Sequence, residues 1–479
     1  MHFAHPAPRA IIALFEQQLD PMETQHQSLP QAQPAATCDV LVAGGGPAGS
    51  TLATLLARRG HRVVLLDRDR HPRFHIGESL LPMTVPLLEA LGVRDRVEAI
   101  GIRKYGAEFN HPDHTGKRLT FYFAEAMDKD HPHAWEVRRS EFDELLFRNA
   151  EAEPGVTAHE GMRLREVTFE PDGSVLATAT DASGAEHHWH ARWLVDATGR
   201  DGFLPRRLGI RRRSRKHASA AIFGHFEQVE RRPGRDEGNI SIYWFDHGWF
   251  WMIPLRDGIM SVGAVCHPQY LRQRDCPVEE FLWRTIALQP EVQARMREAR
   301  LVGEARATGN FSYEATRMYG PRGENWLLVG DSYAFIDPVF SSGVHLAMSA
   351  AFSAAETLDA CLAEPAQRDT LLAEHRRRML RGLRTFSWLI HRFNSLPMRR
   401  LFMAPRNDFR MKEAIISLLA GDVFRDTPIH GPLRLFKLIY YATFVANLPR
   451  ALPVWMRMRR QAFVRFTGGT TPQDQPESG

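Results

Sequence analysis

Three features of this 479-residue chain predict an α/β fold carrying an inserted second sheet and a carboxyl-terminal helical module. Residues 40–67, VLVAGGGPAGSTLATLLARRGHRVVLLD, run as apolar strand, glycine turn, helix and second strand. Two later apolar strands also end in glycine turns, at residues 193–199 and 326–330, and the long span between them reads as a further sheet. From Glu364 to Arg465 apolar residues recur at helical spacing among 20 Lys plus Arg and 7 Asp plus Glu, an excess of +13. The rest of a chain of net charge +5 therefore carries −8.

Taken in order, residues 1–37 hold Pro and Gln clusters without a sustained period and read as a disordered leader. Residues 40–43 form the first strand, and Gly44, Gly46 and Gly49 stand in G-x-G-x-x-G spacing, with Pro47 and Ala48 opening the helix. Glycines there let the backbone turn tightly beside a pyrophosphate, whose charge meets the helix's first N–H groups. Asp67, eighteen residues after Gly49 at the end of the second strand, is placed to accept hydrogen bonds from a ribose. The unit thus reads as dinucleotide-binding and Rossmann-like.

Glu78 and Ser79 lie at the start of a helix over residues 80–91, with Pro82 in its first turn. Residues 102–111 alternate as one strand, with Tyr105, Ala107 and Phe109 on one face and Lys104, Gly106 and Glu108 on the other. On spacing alone Lys104 is a solvated lysine. Residues 135–150 read as a strand feeding a helix, and Arg139 at the junction suits a phosphate clamp, because guanidinium matches phosphate oxygens bidentately. Strands follow within 167–180, and the strand at 193–199 ends at Gly199 beside the same ligand. Residues 240–265 form strands about an Asp257-Gly258 hairpin turn. Asp331 closes the last strand, where an acid can bind the hydroxyls of a ribityl chain. Residues 344–362 read as a helix whose opening amides at Ser342, Gly343 and Val344 form a site for a small anion.

The expected organisation is therefore a nucleotide domain over 38–363, interleaved with a substrate sheet at about 100–135 and 205–310. A basic helical module spans 364–465, divided by Pro397, Pro405, Pro449 and Pro453, and a disordered tail spans 466–479. Cys38, Cys266, Cys276 and Cys361 are scattered without a C-x-x-C pair, which speaks against zinc and a disulfide framework. No apolar run reaches the roughly 18 residues of a spanning helix, and no continuous signal core is present, so a cytoplasmic protein is expected. The basic module reads as a solvated face, or as a docking surface for an acidic carrier protein or a membrane; no nucleic-acid motif accompanies it.

At the motif level the chain resembles the flavin-dependent halogenases. Trp249-x-Trp251-x-Ile253-Pro254 matches that family's W-x-W-x-I-P signature, and Phe335-x-x-Pro338-x-x-Ser341-x-Gly343 matches its second, F-x-x-P-x-x-S-x-G. GESLLP at 77–82, VDATG at 195–199 and GDSYAFIDP at 330–338 agree with them. The resemblance implies FAD, reduced to FADH2 by a separate NAD(P)H-dependent flavin reductase, and a C4a-hydroperoxide formed with O2. Chloride or bromide near Ser342 and Gly343 would attack it, and the hypohalous acid would travel to Lys104, in an R-K-Y-G context typical of the phenol and pyrrole branch. Cofactor residues implied are Gly44, Gly46, Pro47, Ala48, Gly49, Asp67, Ser79, Arg139, Gly199, Asp331, Gly343 and Val344. Tryptophan halogenases carry a glutamate where this chain has Phe340, which argues against free tryptophan and for a phenol, pyrrole or aryl-polyene ring, free or tethered to an acyl carrier protein. A flavoprotein hydroxylase using NAD(P)H itself, and a flavin-binding scaffold without catalysis, are the competing readings; a halide requirement separates the first reading from both.

Overall fold

The computed structural model describes residues 35–111, 116–214, 218–309 and 311–461. Most of the leader and all of the tail lie outside these residues. The chain from Ala36 onward forms one unit by its contacts.

The first sheet is built around strand Ala36–Ala43, flanked in parallel by Val63–Asp67 and by Glu186–Asp196. Val156–Glu160 extends it beyond Val63–Asp67, and Trp326–Leu328 lies parallel to the end of Glu186–Asp196. Val40, Leu41 and Val42 are wholly buried, as expected of a parallel strand covered on both faces. Helix Pro47–Ala57 packs against the long helix Gly343–Ala363, so segments nearly 300 residues apart in sequence cover one face together. The strands expected within 167–180 are an antiparallel ribbon, Arg163–Phe169 with Val175–Thr180, that continues this sheet.

A second sheet runs Arg300–Thr308, Ala220–Glu227, Met260–Cys266, Gly248–Pro254, Ile240–Phe245, Gly106–Asn110, Arg118–Tyr122. Its central hairpin turns at Asp257 and Gly258, both at positive φ, as the sequence predicts. Strand alternation sends Trp249, Trp251 and Ile253 into one apolar cluster and Phe250 and Met252 into another on the opposite face.

Helices Arg368–Ile390, Leu396–Met403, Met411–Leu419, His430–Ala446 and Leu448–Gln461 form the carboxyl-terminal module. Pro449 stands where helix His430–Ala446 gives way to Leu448–Gln461, in the opening turn of the latter, whereas Pro453 does not separate helices but lies inside Leu448–Gln461. Helix Gly343–Ala363 is long and apolar enough to cross a membrane, contrary to the sequence reading, but 61% of its apolar window is buried within the fold. Its composition is spent on packing against the first sheet's helix.

The largest departure concerns residues 102–111. They form two strands in two different sheets, Ile102–Lys104 paired with Ala134–Glu136 and Gly106–Asn110 paired with Arg118–Tyr122. Asn239 Oδ1 accepts from the amides of both Tyr105 (3.0 Å) and Gly106 (2.7 Å), fixing the break. Lys104 is consequently buried, 1% exposed, and not the solvated lysine its spacing predicts.

Candidate active site

The glycine loop is shaped by close approach. Gly44 has φ +106°, and a Cβ there would meet the Ala197 carbonyl oxygen at 2.3 Å; a Cβ on Gly49 would meet the Gly44 oxygen at 1.8 Å. Gly46, which caps helix Pro47–Ala57, is different: a Cβ there meets nothing closer than Arg73 Nη2 at 3.5 Å. Two glycines thus lock the loop to the sheet, and the third leaves its outer side open over the helix's first amides, a fit for a pyrophosphate. Asp67 is buried, with Oδ2 accepting from Gly45 N at 2.8 Å and Oδ1 from Asp69 N at 2.9 Å. Oδ1 keeps a second lone pair for a ribose hydroxyl, while Oδ2 also accepts from Arg73 Nη2 at 3.4 Å.

Arg139 opens helix Arg139–Glu151, but its guanidinium is engaged: Nε and Nη2 donate to Asp143 at 2.7 and 3.0 Å, and Nη1 donates to the Ile76 carbonyl at 2.8 Å. It orders the 76–77 turn, and a phosphate would have to share it. Arg73, which the sequence reading passed over, lies at the mouth of the glycine loop between Asp67 (3.4 Å) and Asp143 (3.3 Å). Asp331 follows strand Trp326–Leu328, and burial pushes its carboxyl up to about 6, against the pull of Arg200, Arg139 and Arg211. Gly199 turns at φ +62° at the end of the neighbouring strand.

The second signature forms a tight corner. Phe335 lies in a two-residue strand, Pro338 opens a short helical turn capped by Asp337 on Val339 N (3.2 Å), and Ser341 takes a left-handed φ of +54°. Ser342 then caps helix Gly343–Ala363, whose first internal bond from this end is Leu346 N to Ser342 O. The amides of Gly343 and Val344 precede that bond and point out of the helix start, as an anion requires.

Lys104 sits in a separate niche. Its Nζ donates to Ser79 Oγ (2.7 Å) and the Leu80 carbonyl (3.1 Å) and lies 5.4 Å from the Phe123 ring centre. Ser79 in turn donates to Glu136 Oε1 at 3.1 Å, which is 3.9 Å from Nζ. Register explains the pair: Lys104 faces Ala134 and Ile102 faces Glu136, so Lys104 and Glu136 are diagonal neighbours on one face. Burial lowers the Lys104 pKa against the opposing effect of Glu136, and burial pushes the Glu136 carboxyl up to about 8, held back by Lys104 and Ser79. Glu136 Oε2 has no hydrogen-bond partner. Sequence reasoning missed Glu136; its one signal was a lone acid in an apolar strand, AWEV.

Phe123 belongs to the same apolar cluster as Trp249, Trp251, Ile253 and Phe340. Trp251 lies over Gly263 of the adjacent strand, where a Cβ would strike its ring at 2.3 Å, and its Nε1 donates to Ser261 Oγ at 3.1 Å. Phe340 packs edge-on against Phe393 (5.3 Å) and near Phe402 (6.3 Å) of the helical module. The module therefore walls the cluster on the side away from the second sheet. Of its arginines, Arg377, Arg378 and Arg381 pair with Glu374, Glu356 and Asp426. Among the described residues no cluster of His, Cys, Asp or Glu is arranged to hold a metal ion.

A glycine-locked βαβ unit, a split nucleotide sheet and an inserted, mostly antiparallel sheet define a flavoprotein of the FAD-binding class, and the FAD binding domain family matches residues 37–388. Flavin-dependent halogenase gsfI of Penicillium aethiopicum is 37% identical over 353 residues, 68% of this chain and 65% of its own length. Tryptophan 2-halogenase of Chondromyces crocatus is 37% identical over 330 residues, 68% of this chain and 61% of its own. The 1H-pyrrole-2-carbonyl-[peptidyl-carrier protein] chlorinase of Pseudomonas fluorescens is 29% identical over 413 residues, 81% and 89% respectively. The solved structure of the myxobacterial chondrochloren halogenase CndH superposes with a TM-score of 0.71 at 33% identity, covering 86% of this chain and 97% of that one. The chain belongs to the flavin-dependent halogenases within the FAD-binding-domain family.

Proposed function

We propose that this protein halogenates an electron-rich aromatic ring, a phenol, pyrrole or aryl-polyene precursor, using O2, chloride or bromide, and reduced FAD from a separate NAD(P)H-dependent flavin reductase. The observation that carries this reading is the burial of the Lys104 amine at the edge of the aromatic cluster containing Trp249, Trp251 and Phe340. FAD would be held by Gly44, Gly46, Pro47, Ala48, Gly49 and Asp67 at its adenosine diphosphate end, with Arg139 beside them. Ser79, Gly199, Asp331, Gly343 and Val344 would lie along the rest. Bound and reduced, it supplies the two electrons that activate O2.

The amides of Ser342 and Gly343 would hold the halide at the start of the long helix. Hypohalous acid reaching Lys104 either accepts a hydrogen bond from Nζ or exchanges its halogen onto the neutral amine with release of water. The ring then takes the halogen as an electrophile and loses a proton. Desolvation favours the neutral amine that the second route uses. Trp249 and Trp251, in the aromatic cluster of the inserted sheet and the helical module, would keep the organic ring from the flavin side. Phe340 offers no base, which suits a phenol whose own ionisation raises ring electron density. One relative's name includes tryptophan, so free tryptophan belongs in the test panel, as does a pyrrole on a carrier protein.

Mass spectrometry of reactions with enzyme, FAD, NADH, a flavin reductase and each ring, with bromide, with chloride and with neither, tests the reading. A halogen isotope pattern that needs enzyme, reductase and halide supports it; a gain of oxygen independent of halide overturns it in favour of a hydroxylase. Lys104→Ala is expected to lower halogenation at least about a hundredfold, on the scale of removing a proton-handling group, while FAD absorbance and flavin reoxidation persist. Retained halogenation removes the lysine from the chemistry.

A further inference from the structure

We propose that helices His430–Ala446 and Leu448–Gln461 form a docking face for an anionic phospholipid surface. Their inner side, Leu433, Phe436 and Tyr440, joins the apolar cluster that contains Phe340 and the signature tryptophans. Their outer side is apolar as well. Leu438, Tyr441 and Val445 on the first helix, and Leu448, Leu452 and Trp455 on the second, recur at steps of three and four and are all exposed, Leu438 and Val445 at 65% and 67%. A helix polar on its outer face is the ordinary solution for a soluble module, and an exposed apolar stripe on each of two consecutive helices departs from it.

Charge identifies the occupant. Residues 430–461 carry Arg434, Lys437, Arg450, Arg457, Arg459 and Arg460 and no Asp or Glu. Elsewhere in the module acids offset part of the charge: residues 364–429 hold 13 Lys plus Arg and 7 Asp plus Glu, with Arg377 paired to Glu374, Arg378 to Glu356, Arg410 to Glu413 and Arg425 to Asp422. The same excess of +6 that is spread over those 66 residues is carried by the 32 residues 430–461 with no acid among them, so the positive charge is densest where the exposed apolar residues are. A second copy of this chain would bring like charge against like. An acidic protein would neutralise the cations but would need a groove matching the stripe. A bilayer surface supplies both halves: phosphate headgroups for Arg and Lys, and an acyl boundary for Leu, Val and Trp. Docking there would set the inner face of the same helices, and the aromatic cluster behind it, beside the lipid phase in which an apolar ring concentrates.

The test is co-sedimentation of the full-length, FAD-loaded protein with vesicles of phosphatidylcholine alone and of phosphatidylcholine mixed with phosphatidylglycerol. Retention on the anionic vesicles, released by raising salt, is expected, and the exposed-face double variant Leu438→Glu/Val445→Glu should lose at least about tenfold in vesicle affinity, with turnover of a soluble phenol unchanged. Absence of wild-type binding to the anionic vesicles overturns the proposal, as does equal binding by the variant. So does a wild-type dimer in light scattering that the same substitutions dissociate, or retention on an acidic carrier protein, without vesicle binding, that they abolish. Vesicle binding is read without catalysis, so its failure leaves the halogenation reading standing, and a failed halogenation assay leaves the surface untouched.

Discussion

The protonation of Lys104 is governed by the one acid that faces it. Burial drives the amine toward neutrality, and Glu136 opposes that drive from 3.9 Å away. Glu136→Gln keeps the size of the side chain and can still accept from Ser79, yet removes the charge. The lysine then loses the group that raises its pKa, its neutral form persists to lower pH, and the acid limb of the kcat–pH profile moves to lower pH. A limb that stays in place or moves upward would mean that amine protonation does not gate the rate. Stability supplies a second reading of the same residue. With its folded value raised from 4.5 to about 8, Glu136 binds its proton more tightly in the native than in the unfolded chain, so it subtracts stability as pH rises through that window. Between those limits the melting temperature of Glu136→Gln should fall less with pH than that of the wild type.

At the level of elements, the glycine loop separates a structural requirement from a binding one. Gly49→Ala forces a methyl group to within 1.8 Å of the Gly44 oxygen, so the expected result is a lower melting temperature of the FAD-free protein as well as lost FAD. Gly46→Ala has ordinary φ at −76° and open space, so the FAD-free protein should melt as the wild type does. Its methyl group occupies the cofactor's side of the loop, and FAD affinity should drop about tenfold, the equivalent of about 1.4 kcal/mol; calorimetric titration with FAD distinguishes the two variants. This loop was legible in the sequence because its strand, turn, helix and second strand are contiguous and each local preference agrees. The hairpin at Asp257 and Gly258 was legible for the same reason. The niche of Lys104 was not: its surroundings come from Ser79, from the strand ending at Glu136 and from Asn239, which breaks the strand after Lys104. Alternation continued across that break, so period alone extended one strand through two sheets and placed the lysine outside. Arg139 illustrates the converse, since its residue type suits a phosphate but Asp143, one turn along, takes two of its five N–H donors.

Across the whole molecule the candidate site is a junction of three distant parts of the chain. The nucleotide sheet supplies the loop at residues 44–49, the inserted sheet supplies the tryptophans, and the helical module closes the aromatic cluster from outside. The module is fastened to the 123–128 segment beside Lys104 by Lys412 to Glu125 (2.6 Å), by Met127 N to Ser417 Oγ (2.8 Å) and by Arg425 to Asp128. Phe402 is the apolar counterpart of these ties, edge-on to Phe109 (5.3 Å) and Phe121 (5.5 Å) of the inserted sheet and beside Phe340. Its ring is 2% exposed, so Phe402→Ala leaves a cavity between module and sheet and should cost about 3–5 kcal/mol, less where the helices settle inward. Because the lost ring adjoins Phe340 and not the glycine loop, FAD affinity should hold while KM changes, falling for a bulky phenol that enters the new space relative to a small one. Equal changes in KM for both rings, or a loss of FAD affinity matching the loss of stability, would show that the module supports the fold as a whole and does not shape the ring's pocket.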